Sequence, residues 1–148
     1  MASRDLTEAT RARVHALYAD YVRGDMAAVM GCMAEGIAWH SLGNHDAPWS
    51  GRWLGKQGVA DYFAAVGRVC AVTGWEIERV IADGEWATVL GTLRVRFHAD
   101  GSETTYAKVD ILHLADGMLV EFREFYDTAT MLRDLGRVNT ASSDRATP

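Results

Sequence analysis

Several things are scarce in this chain of 148 residues, and each scarcity narrows what it can do. It has two cysteines, Cys32 and Cys70, which lack CxxC spacing and each fall on an apolar helical position. Disulfide and metal roles are therefore not expected, and a reduced, cytoplasmic setting is the simplest reading. No basic run is present and the net charge is −5. The two arginines of "LRVRF" are too few for a nucleic-acid footprint, so no such partner is expected. No stretch approaches the roughly 20 apolar residues of a membrane span. The opening "MASRDLTEATRAR" is polar and lacks the apolar core of a signal peptide. Internal repeats and a dividing linker are also missing. What is there is ordinary for a globular protein, 49% apolar and 24% charged. One domain of this length can bury roughly 68–70% of its unfolded surface.

Val14, Leu17, Tyr18, Tyr21 and Val22 recur at helix spacing and predict a first amphipathic helix from about Leu6 to Arg23. Gly24 is a natural stop and Asp25 a natural start. Met26, Val29, Met30 and Met33 mark one face of a short second helix. "IAWHSL" (37–42) reads as a strand, followed by the glycine-rich loop "GNHDAPWSGRWLG". Val59, Tyr62, Phe63, Val66 and Cys70 define a third helix. From Trp75 onward four alternating runs are separated by "DG" at 83–84, 100–101 and 116–117, which predicts an antiparallel meander. Asp127 is expected to cap a short last helix carrying Met131, Leu132 and Leu135. The domain is thus expected over 1–135, with "GRVNTASSDRATP" (136–148) as a disordered polar tail.

Helices followed by a curved antiparallel sheet make an α+β arrangement. In "YAKVDILHL" (106–114), Lys108 and Asp110 share one strand face, while Ala107, Val109 and Ile111 share the other. The apolar stripe would be exposed on a monomer and predicts a homodimer packed through the outer sheet face. The charged pair has two readings. Asp110 projects into a pocket as acid or hydrogen-bond donor, or it forms a rim ion pair with Lys108, for which the structural role is favoured.

Other candidates follow from chemistry and position. His40, on a strand opening into the loop, suits a general base near neutral pH. Glu124 shares a face with Phe122 and Tyr126, where desolvation would raise its pKa, unless a cation such as Arg123 pairs with it. Trp49 and Trp53, as large aromatics in a loop, suggest a lid. Trp39 and Phe122 would line the pocket, whereas Tyr62 and Phe63 match core spacing. Tyr18 belongs to the first-helix core or donates from the cavity wall. His45 and Asp46 read as a solvated turn, and His98 and His113 are weak candidates. No metal site is evident among His40, His45 and Asp46.

The order of elements, carried by "YVRGDMAAVMGCMAEGIAWH", "WLGKQGVADYF" and "DGMLVEFREFYDTATML", resembles the NTF2-like superfamily over about residues 6 to 135. That superfamily includes ketosteroid isomerase, SnoaL-type polyketide cyclases and limonene-epoxide hydrolase, and the resemblance implies a cone-shaped sheet around an open-ended pocket. It maps the isomerase's protonated aspartate onto Asp110. The isomerase base falls on His40 or, by another anchor, on Ser41, and its tyrosine on Leu17, one place from Tyr18. The last-strand acid of the hydrolase corresponds to Glu124, but its Arg-x-Asp pair falls at Gly91 and Leu93, which speaks against that mechanism. A cyclase would use Glu124 or Asp110 with His40.

Together these imply a cofactor-free acid/base enzyme, an isomerase or aldol-type cyclase, acting on an apolar carbonyl-bearing small molecule. His40 would take the proton, while Asp110 or Glu124 stabilises the enolate. The alternative is a non-catalytic protein that binds hydrophobic small molecules, and a third reading is a dimerising domain with a vestigial pocket.

Overall fold

The computed structural model describes residues 2–43 and 46–145. The elements run α1 (Ala2–Val22), α2 (Met26–Gly31), β1 (Met33–Ser41), β2 (Gly51–Leu54), α3 (Gly55–Val69), β3 (Cys70–Asp83), β4 (Trp86–Phe97), β5 (Glu103–Ala115), β6 (Met118–Tyr126) and α4 (Thr128–Arg145). Six strands form one sheet in the order β2-β1-β6-β5-β4-β3. The meander from β3 to β6 is antiparallel as expected, whereas β1 joins the sheet parallel to β6. The fold is α+β, with helices lying on one face of a curved sheet.

Local chemistry explains most boundaries. Gly24 takes φ +76° and ends the first helix turn, and the Asp25 side chain then accepts from the Ala28 N–H at 3.0 Å to cap α2. Asp127 caps α4 in the same way, accepting from the Thr130 N–H at 3.1 Å. Of the three Asp-Gly turns, only Asp116-Gly117 has both residues at positive φ, the type I′ requirement. Register slips between Val72 and Gly74, and again between Ile77 and Arg79, bend β3.

The structure corrects several expectations. Met33 opens β1 rather than closing α2, and it is buried at the core. Cys70 begins β3 instead of ending α3. Trp53 lies on the short strand β2, not in a loop. The reading of His45 lies outside the described residues. Beyond Leu135 the chain stays helical to Arg145, longer than the short last helix expected. The reason is that Met131, Leu135 and Val138 continue one helical stripe, and all three are buried.

The Lys108/Asp110 side of β5 faces the helices. On the other side Ala107 is exposed, while Val109 and Ile111 are half-buried. Ile81, Trp86 and Phe125, also on β-strands, are exposed. No described helix is long and apolar enough to cross a membrane.

Candidate active site

A cavity of about 80 Å³ lies between the sheet and helices α1 and α3, and the charged face of β5 opens into it. Here Lys108 is 8% exposed, Asp110 1% and Glu124 3%, so the pair singled out in "AKVD" is dry. Asp110 and Glu124 are cross-strand partners on β5 and β6, which places both carboxylates side by side. Lys108 Nζ lies 3.0 Å from Asp110 Oδ1 and 2.9 Å from Glu124 Oε2, bridging them.

Helices supply the remaining donors. Tyr18 on α1 donates its hydroxyl to Asp110 Oδ2 at 2.5 Å. Tyr62 on α3 donates to Glu124 Oε1 at 2.7 Å, and Ser41 on β1 donates to the same oxygen. Asp110 Oδ1 has the ammonium as charge partner but no aligned hydrogen bond. Trp39 Nε1 is likewise buried without a hydrogen-bond partner among the described residues.

Two acids and one ammonium leave one negative charge uncompensated in a buried place, which is costly unless a proton is retained. Burial pushes the Asp110 carboxyl up; Lys108 opposes this and Glu124 reinforces it. Burial alone would lower the Lys108 ammonium, but Asp110 and Glu124 outweigh it and hold the ammonium well above its ordinary range. Burial and the neighbouring acids raise both Tyr18 and Tyr62, so the two phenols stay protonated donors. Asp110 is thus a carboxyl that burial pushes toward keeping its proton.

Aromatic walls keep the cluster dry. Trp39 and Phe122 are register partners on the parallel strands β1 and β6, and their rings stack at 3.7 Å. Trp75 meets Tyr18 edge-on at 5.1 Å, and the Lys108 ammonium lies 5.9 Å from its ring. Trp75 can lie there because Gly91 has no side chain: a Cβ at that position would fall 1.8 Å from Trp75 Cζ3. Trp49, 3% exposed, closes another wall and donates from Nε1 to the Tyr126 hydroxyl at 3.0 Å.

The structure brings Asp110, Glu124, Tyr18, Trp39, Trp49 and Phe122 to one cavity. It does not bring His40 there. His40 neighbours Trp39, and alternation sends the imidazole to the opposite face, where Nε2 lies 3.6 Å from Glu121 Oε1. Burial lowers the His40 pKa, Glu121 opposing, but the ring is remote from the proposed chemistry. Trp53 also misses the cavity; its Nε1 donates to the Trp49 carbonyl at 2.9 Å. Ser41, the other anchor for the base position, does reach the cluster, as an alcohol donor. Sequence reasoning undervalued Lys108, although its place on the Asp110 face was the available signal. Tyr62 was hidden by its fit to core spacing, and only its hydroxyl hinted at a second role. Among the described residues, no three His, Cys, Asp or Glu side chains are grouped to hold a metal ion.

Comparison with known proteins agrees with this architecture. A model of the SnoaL-like domain matches residues 14–122. An NTF2-like protein of unknown function from Burkholderia pseudomallei is similar at 26% identity and TM-score 0.76, covering 84% of this chain and 95% of that one. A candidate isomerase from Rhodopseudomonas palustris has 17% identity and TM-score 0.66, covering 73% and 82%. A candidate polyketide cyclase from Pseudomonas putida has 20% identity and TM-score 0.63, covering 78% and 89%. No curated protein matches the sequence. The matched segment spans most of the chain, including Tyr18, Lys108 and Asp110, and the chain belongs to the SnoaL-like family of the NTF2-like superfamily.

Proposed function

We propose that this protein is a cofactor-free acid/base enzyme, of isomerase or aldol-type cyclase chemistry, acting on an apolar small molecule that carries a carbonyl. The observation that carries the reading is the single ammonium of Lys108 bridging two buried carboxylates inside an aromatic cavity. Asp110, held by Tyr18, gives a proton or a strong hydrogen bond to the substrate oxygen. Glu124 takes the proton from the neighbouring carbon, and Lys108 between them balances the charge as it moves. His40 has no part in this scheme. A second copy packed on the outer sheet face belongs to the same reading, since Ile81 (52% exposed) and Phe125 (46%) stand there beside Val109 and Ile111. Light scattering in solution checks that part, with a dimeric mass expected.

The reaction is tested by deuterium uptake next to the carbonyl of flat cyclic ketones in D₂O, followed by NMR. The protein should accelerate uptake, and Asp110→Asn should lose roughly 10²-fold or more of that acceleration. Ketone binding without any uptake above background would instead favour a ligand-binding protein. That outcome has its own motive, because protein donors already hold both acids.

A further inference from the structure

Resting on that reading, we infer that the ligand is elongated, with a polar head in the cavity at Asp110 and an apolar tail leaving between the end of α1 and the bulge of β3. A second hollow of about 230 Å³ is lined by Tyr21, Val22, Val72, Thr73, Gly74 and Trp75. Tyr21, Val72 and Trp75 also line the main cavity, so the two spaces share a wall. The backbone is irregular beside this wall. Register slips between Val72 and Gly74, so β3, the edge strand, bends there with Thr73 unpaired. Gly74 adds no side chain to fill the gap.

Chemistry also changes along this line. None of the six residues of the outer hollow carries a charge, and Val22 at its rim is 63% exposed. The charged groups, Lys108, Asp110 and Glu124, all stand at the inner end. The inner space admits about 80 Å³ and the outer hollow adjoins it across Tyr21, Val72 and Trp75, so a molecule larger than a compact head would extend past these side chains. A head that can meet Asp110 with an oxygen, attached to a hydrocarbon tail, matches both ends. An alkyl ketone or alkylphenol has this form.

The inference is tested with phenol, 4-butylphenol and 4-octylphenol, titrated by isothermal calorimetry against the native chain, Val22→Asp and Gly74→Trp. Each methylene seated in the hollow should tighten Kd by roughly three- to fourfold. The octyl-to-phenol affinity ratio should fall tenfold or more in either variant. Val22 is already exposed, and a Cβ at Gly74 would make only ordinary contacts, with Arg94 Cβ and Cζ at 3.8 Å, so neither change is blocked at its Cβ; urea midpoints near the native value confirm that both variants fold. A native ratio near one, or a ratio retained in both variants, overturns the inference. Phenol binding without a chain-length gain overturns the tail alone; failure of the whole series to bind overturns the proposed function with it.

Discussion

The two faces of this sheet carry charge groups of similar make-up, and water makes them different. Inside, Lys108 joins Asp110 and Glu124, all under 9% exposed. Outside, Arg123 holds Glu121 at 2.5 Å with His40 nearby, but the Arg123 side chain is 49% exposed. The outer contact is even the shorter one. Outside, solvent screens each charge and the pairing is worth little. Inside, every unpaired charge is costly, so the same ingredients push the Asp110 carboxyl toward its protonated form and share one cation between two acids. An acid–cation pair thus becomes a candidate for chemistry through its surroundings rather than its contacts.

The largest expected effect breaks the inner group. Lys108→Met leaves two carboxylates facing each other in the dry and should cost roughly 3–5 kcal/mol in urea unfolding. Arg123→Met on the outer face should cost less than about 1 kcal/mol. Similar small losses for both would erase the distinction between the faces. Next, Asp110→Asn should abolish most deuterium uptake while His40→Ala leaves it at the native rate. The reverse pattern would move the site to the outer face.

Gly91→Ala tests how the wall is built. The added methyl group would meet both the Trp75 ring and, at 2.3 Å, the Glu76 carbonyl oxygen, and an overpacked change of this kind costs roughly 1–3 kcal/mol. An unchanged urea midpoint would show that neither the Trp75 ring nor the β3 backbone at Glu76 is held in its place. A smaller effect concerns pH. The Asp110 carboxyl is raised in the folded protein, so over that range the native state binds more protons than the unfolded one. Its contribution is complete below the ordinary aspartate range and is lost as pH rises through the folded value. Unfolding midpoints measured across that window should fall with rising pH, and the Asp110→Asn variant should lack this part of the slope.

Much of the fold was legible because strand alternation and turn chemistry act locally. The four-strand meander, the Asp25 and Asp127 caps and the inward face of Lys108 and Asp110 all follow from neighbours in sequence. The parallel docking of β1 on β6 does not, since it depends on which sheet edge is free after folding. The site was half legible. Asp110, Glu124, Tyr18 and Trp39 line the cavity, whereas His40 does not, because alternation gives the inner face of β1 to Trp39. One strand cannot present adjacent residues to the same cavity unless it bulges there. Tyr62 and Ser41 escaped because a helix at core spacing and a small alcohol carry no distinctive pattern. The extension of α4 rests on Val138 alone within a polar stretch, too faint a signal for periodicity.

The central claim is that burial makes Asp110 hold a proton beside Lys108. Carbon-13 labelling of the aspartate carboxyls, with Asp110→Asn to assign the resonance, measures this directly. The account predicts that the Asp110 carboxyl titrates above the ordinary aspartate range. A carboxyl that ionises within or below that range, with Lys108 in place, would contradict it.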